Sequence, residues 1–174
     1  TGAKPVIVQC GIEQSFKMTP KQLLSAISSN TKLIFLNSPS NPTGAVYSKA
    51  ELRDLADILL DHPHVFIGTD DIYEHISLDE IPFNNILMVE PKLKSQVIVL
   101  NGVSKAYSMT GWRIGYAAGP RAIIKAMCKL QSQSTSNPSS ISQAAAVEAL
   151  NGNQDFIKER SDAFKERRDF VVNS

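Results

Sequence analysis

The chain has 174 residues, 43% of them apolar and 20% charged, a balance that suits a globular protein with a sizeable core. A formal net charge of +1 gives no argument for nucleic acid or an anionic membrane surface as partner, so neither is expected. No apolar run reaches the roughly 18 residues that span a bilayer, so no membrane is expected either. Cys10 and Cys128 fit no metal or redox spacing and read as buried free thiols of a cytoplasmic protein. His62 and His64 flank Pro63 with no Cys or acidic ligand at a matching spacing, so no metal site is expected. The chain opens at Thr1 and closes within an unfinished helical pattern, which reads as a piece of a longer protein.

In chain order, Pro5-Val6-Ile7-Val8 reads as a short strand. Thr19, Pro20 and Gln22 form a capping-box start for a helix whose buried stripe is Leu23, Leu24 and Ile27. Lys32 to Leu36 is a continuous apolar strand of the kind buried on both faces of a sheet, and it runs into the turn Asn37 to Gly44. A second capping box, Ser48 with Glu51, opens a helix carrying Leu52, Leu55, Ala56 and Leu59. Val65 to Gly68 is a buried strand ending in Thr69-Asp70-Asp71-Ile72-Tyr73, and Leu78 to Lys94 reads as a surface excursion. Val97 to Leu100 is the next strand, and it delivers Lys105. Ile114 to Gly119 follows with too little room for a crossover, so it is expected antiparallel to its predecessor.

Pro120 opens a helix with Ile123, Ile124, Met127 and Leu130 on one face. Ser140 with Gln143 is expected to cap an alanine-rich, tightly packed helix that Asn151-Gly152 ends. From Asn153 onward an amphipathic helix keeps most of its surface solvated, with Arg160, Arg167 and Arg168 as exposed charges. Alternating strands and helices predict an α/β protein: three α/β/α layers around a mostly parallel sheet with one antiparallel strand.

Ligands of such sheets bind beyond the carboxyl ends of the strands. Three strands end there in polar clusters, at Asn37 to Gly44, Thr69 to Tyr73 and Gly102 to Lys105. Taken singly, Lys105 reads as a solvated charge, Asp70 as a helix cap or turn residue, Asn41 as an Asx-turn, and Arg113 as a cation–π pair or a surface ion pair. Taken together they complement pyridoxal 5'-phosphate. Lys105 supplies an amine for its aldehyde, and a buried Asp70 a carboxylate for its ring nitrogen. Asn41 and Tyr73 supply donors for its phenolic oxygen, and Arg113 and Ser104 a guanidinium and hydroxyl for its phosphate.

Three motifs also name a family. Ser-Asn-Pro-Thr-Gly at 40–44, Asp-Asp-Ile-Tyr at 70–73 and Ser-Lys-Ala-Tyr-Ser-Met-Thr-Gly-Trp-Arg-Ile-Gly at 104–115 resemble the fold-type I, class I aminotransferases, most closely the prokaryotic subgroup of aspartate aminotransferases. The resemblance implies an aminotransferase moving an amino group between an L-amino acid and a 2-oxo acid, with aspartate as the expected donor. It assigns Lys105 the internal aldimine and then the base that shuttles a proton. Asp70 would meet the pyridinium nitrogen, Tyr73 and Asn41 the phenolic oxygen, and Ser104 and Arg113 the phosphate. Ile72 would pack on the ring, and the Asn41–Pro42 peptide would be cis.

The same resemblance reads residues 1–152 as the central part of an incomplete large domain and 153–174 as the start of the long helix leading to a small domain. Family members are homodimers, so a dimer is expected of the full-length parent, while the isolated piece is expected to be inactive. A lyase or synthase of the same fold would share the Lys105, Asp70 and Arg113 logic. A non-enzymatic aminotransferase-like regulatory domain is the alternative from another class.

Overall fold

A computed structural model of the chain describes every residue except Thr1 and Glu80. Thr1, on which the sequence opens, therefore lies outside the described residues. Helices α1 (Pro20–Ala26) and α2 (Lys49–Leu60) begin where the sequence places them, each with a complete capping box, Thr19 with Gln22 and Ser48 with Glu51. Strands β1 (Leu33–Asn37), β2 (Phe66–Asp70), β3 (Val97–Gly102) and β4 (Gly115–Ala118) form one sheet in the order β1-β2-β3-β4 among the described residues. Ile67 N–H donates to the Gln96 carbonyl, and further along Asp71 N–H donates to the Leu100 carbonyl. The numbers rise together, so β2 and β3 run parallel. β4 pairs antiparallel with β3, Val99 opposite Ala118 and Gly102 opposite Gly115, as the short connection requires.

The chain divides into two compact units, one of residues up to Thr69 with Asn84–Ile98, the other of Asp70–Phe83 with Val99–Ser174. The first holds most of the apolar core. Leu52, Leu55, Ala56 and Leu59 of α2 are buried together with Leu23, Val65, Ile67 and Val97. Helix α3 (Ile86–Val89) and the turn Pro91–Ser95 pack on α2, and bury Ile86, Val89 and Leu93. Leu78 to Lys94 is therefore only partly the surface excursion expected, because its apolar residues cover α2. Arg53 of α2 donates to the Glu90 carboxylate and the Val89 carbonyl at this junction.

Gln96 is buried, and its side-chain amide donates to the carbonyls of Leu59 (3.4 Å), His62 (3.0 Å) and Val65 (3.0 Å). Leu59 lies in the last turn of α2, and His62 and Val65 follow it, where helical partners run out. Gln96→Ala removes three bonds of a buried amide at once, although the Leu59 and His62 carbonyls keep the backbone N–H groups of His62 and Val65, and is expected to cost about 1–3 kcal/mol. Urea unfolding would show a lower midpoint at unchanged slope, whereas an unchanged midpoint would mean that the amide contributes nothing.

Several expectations are corrected. No strand forms at Pro5 to Val8 among the described residues, and Val6 and Ile7 are 71% and 78% exposed. An apolar run becomes a strand only with a partner to pair with. β1 is not buried on both faces, since Leu33 and Phe35 are exposed and only Leu36 is buried. Strand β1 stands at the sheet edge, and Leu24 of α1 is likewise exposed.

The second unit carries α4 (Arg121–Ser132), α5 (Ser140–Asn151) and α6 (Asp155–Val172). Among the described residues, Ala146 is the one fully buried residue of these three helices, so α5 is not tightly packed in this chain. Its N-cap is Ser139 without a side-chain bond, because the Gln143 amide reaches the Pro138 carbonyl instead (2.8 Å). α5 does end at Asn151 with Gly152 following. Cys128 is exposed on α4 and Cys10 half-buried, so neither is the buried thiol expected. Among the described residues no helix is long and apolar enough to cross a membrane, and no group of three or more His, Cys, Asp or Glu could hold a metal ion.

Candidate active site

Six of the seven expected site residues fall in the second unit, five at or after the ends of β2 and β3 and Arg113 just ahead of β4. β2 ends at Asp70, which is half-buried and accepts the Ile72 N–H on Oδ1 at 3.3 Å. The buried carboxylate expected at this point is instead its neighbour: Asp71 is 1% exposed, and its N–H donates to the Leu100 carbonyl at 2.9 Å. Successive residues leaving a strand point to opposite sides, so two adjacent aspartates meet different environments. A tight turn follows, with Glu74 N–H on the Asp71 carbonyl (2.8 Å) and Ile76 N–H on the Tyr73 carbonyl (2.9 Å).

β3 ends at Gly102, then Val103 is buried, Ser104 half-buried and Lys105 exposed. The desolvation expected of the lysine is thus not met, because two residues carry the chain out of the sheet before it. Lys105 Nζ stands 5.7 Å from the Tyr73 ring centroid, within cation–π range. That contact joins the two strand ends. Beneath it the chain approaches itself closely: a Cβ on Gly102 would lie 2.8 Å from the Ile114 carbonyl oxygen and 3.1 Å from Ile72 Cδ1. Against the Ile114 backbone only glycine fits there without a shift.

Arg113 follows the 3-10 turn Thr110–Trp112 in a left-handed backbone conformation, φ 57°. Its Nη1 donates to the Thr110 carbonyl (3.0 Å), and the Thr110 hydroxyl donates to the Ser104 carbonyl (3.0 Å). Thr110 therefore ties the two expected phosphate ligands together, a link the sequence does not announce. Asn101 likewise holds the segment after Tyr73, donating its amide to Glu74 Oε1 at 2.6 Å. Burial, and then the Glu74 carboxylate, push the Tyr107 and Tyr116 phenols up, so both stay protonated at neutral pH. The Tyr107 hydroxyl donates to Gln154 Oε1 at 3.0 Å.

Asn41 belongs to the first unit. It sits in the turn after β1, its N–H bonded to Asn37 Oδ1 at 2.9 Å, and the Asn41–Pro42 peptide is cis, as is Ser38–Pro39. Ser38 also accepts the Tyr47 N–H on its hydroxyl at 3.1 Å, which anchors the turn.

An amine, a carboxylate, a phenol and a hydroxyl at or after the ends of β2 and β3, with a guanidinium linked to Ser104 through Thr110, match the chemistry of pyridoxal phosphate in kind. The mixed α/β sheet with this donor set is the large-domain type of the pyridoxal-phosphate-dependent transferases. The chain belongs to the aminotransferase class I and II family, whose sequence profile matches residues 1–174. It is 56% identical to an aspartate aminotransferase of Rhizobium meliloti over 170 residues, 98% of this chain and 42% of that protein. It is 54% identical to an aspartate/prephenate aminotransferase of Cereibacter sphaeroides, over 99% of this chain and 43% of the relative. Its fold matches the crystal structure of the Rhizobium meliloti aspartate aminotransferase with a TM-score of 0.96 at 56% identity, again over 98% of this chain and 42% of the other. The chain thus spans less than half the length of these relatives.

Proposed function

We propose that this chain carries the cofactor-binding part of a pyridoxal 5'-phosphate-dependent aspartate aminotransferase, which moves an amino group between an L-amino acid and a 2-oxo acid. The observation that carries the reading is Lys105 Nζ over the Tyr73 ring at 5.7 Å, which unites the ends of β2 and β3. Bound pyridoxal phosphate would supply an aldehyde to take up amines and a pyridinium ring to withdraw electrons. Asp70 would hold the ring nitrogen protonated, Tyr73 and Asn41 would donate to the phenolic oxygen, and Ile72 would lie against the ring. Ser104 and Arg113 would grip the phosphate, with Thr110 fixing both. Lys105 would bind the aldehyde when no substrate is present, and when free would take and return the proton at the substrate Cα.

Aspartate as donor is supported by the names of the relatives at 54–56% identity. Residues 1–152 read as the central part of the large domain and 153–174, with α6, as the start of the long helix toward a small domain. A homodimer acting on small molecules in the cytoplasm completes the proposal. Borohydride reduction of the protein containing this sequence, loaded with pyridoxal phosphate, followed by peptide mapping, is expected to place the cofactor mass on Lys105. Stoichiometric label on another lysine would sink the assignment.

A further inference from the structure

We propose that Arg160 of α6 is a positioning residue, clamping the loop that carries Lys105 and so setting where the lysine stands beside Tyr73. The inference rests on the reading of Lys105 and Tyr73 as cofactor contacts. Arg160 Nη1 donates to the Ser108 hydroxyl at 2.9 Å and to the Ala106 carbonyl at 3.3 Å, the first and third residues after the lysine. Its guanidinium also stacks on Phe156, with Cζ 4.6 Å from the ring centroid. Among the described residues no carboxylate pairs with it, so its donors are directed at the loop. Arg160 is exposed, but a guanidinium stacked on a ring face with Nη1 bonded to two oxygens has less freedom than an unpartnered surface charge.

The loop is one that needs holding. Ser108 sits at φ 53°, a left-handed conformation that a residue with a Cβ adopts only when its surroundings impose it. Further contacts extend the clamp to the other strand end. Tyr107 packs edge-on against both Phe156 (centroids 6.1 Å apart) and His75 (6.3 Å). Ser161 donates to the His75 carbonyl at 3.2 Å, and Arg168 Nη1 bonds both Asp79 carboxylate oxygens at 2.7 and 2.8 Å. Phe156, Arg160, Ser161 and Arg168 share one face of α6, so a single helix face grips the segments after Lys105 and after Tyr73. A reacting group displaced by about 1 Å loses up to about 100-fold in rate, which is the scale at which such a clamp matters.

The test uses the holoenzyme containing this sequence and the variants Arg160→Met, Arg160→Lys, Ser108→Ala and the double variant Arg160→Met/Ser108→Ala. Arg160→Met is expected to lower kcat about 10-fold or more with KM unchanged, and to alter the visible circular dichroism of the bound cofactor. Arg160→Lys should recover part of the loss. The double variant should be no worse than Arg160→Met alone, because both remove the same bond. In the cofactor-free protein, amide exchange at Ser108 should quicken in Arg160→Met, since its bond to the Lys105 carbonyl opens more often. Wild-type kcat and an unaltered visible signal in Arg160→Met would overturn the clamp, whatever the change in Tm. If the wild-type protein holds no cofactor on Lys105, the functional reading fails and the clamp falls with it; a Lys105-bound cofactor insensitive to Arg160→Met overturns the clamp alone.

Discussion

Lys105→Ala is expected to remove the visible absorption band of the cofactor-loaded protein and to lower kcat for amino transfer from aspartate by about 10,000-fold or more. Lys105 follows the end of β3 by three residues, and its Nζ stands 5.7 Å from the Tyr73 ring centroid. A methyl group can neither take up an aldehyde nor carry a proton at the substrate Cα, so both roles vanish together. The lysine is exposed in this chain, and its removal leaves no buried group unpaired, so the fold should survive. Lys125→Ala, on the exposed surface of α4, is the control and should leave spectrum and rate as they were. A persistent band in Lys105→Ala would refute the assignment outright.

The second large effect separates two neighbouring carboxylates. Asp70→Asn is expected to lower kcat about 1,000-fold with little change in Tm, because an amide opposite the ring nitrogen no longer stabilises its protonated form. Asp71→Asn should do the reverse. Asp71 is 1% exposed, and a carboxylate persists in such a place only with hydrogen-bond partners, which an amide cannot all satisfy. A loss of about 1–3 kcal/mol in stability is expected, with little effect on the turnover of the folded fraction. Kinetics and chemical denaturation of the two variants give the answer. The opposite pattern would move the ring-nitrogen role to Asp71.

Where local chemistry dictates structure, the sequence is a sufficient guide. Thr19 with Gln22 and Ser48 with Glu51 satisfy backbone donors within a single turn, so those helix starts are legible without any tertiary information. The antiparallel β4 follows from the length of its connection, and the end of α5 from Asn151-Gly152. The motifs around Asn41, Asp70 and Lys105 likewise name the family, whose profile matches residues 1–174.

What no local rule contains is who covers what. Val6, Ile7, Phe35 and Leu130 are as apolar as Leu55 or Leu93, yet the first four are exposed and the last two buried. Burial depends on a covering element, and hydrophobicity records only the demand for one. The same holds for the polar contacts. Arg160 and Arg168 read as solvated helix charges, but the folded chain brings the first to the Lys105 loop and the second to Asp79, across 52 and 89 residues of sequence. Sequence alone determined the capped helix starts, the antiparallel β4 and the family, and singled out the residues proposed to hold pyridoxal phosphate. The tertiary structure decided that Asp71 rather than Asp70 is buried, that Lys105 is exposed, and that α6 holds the lysine loop, since each depends on contacts between segments far apart in the chain.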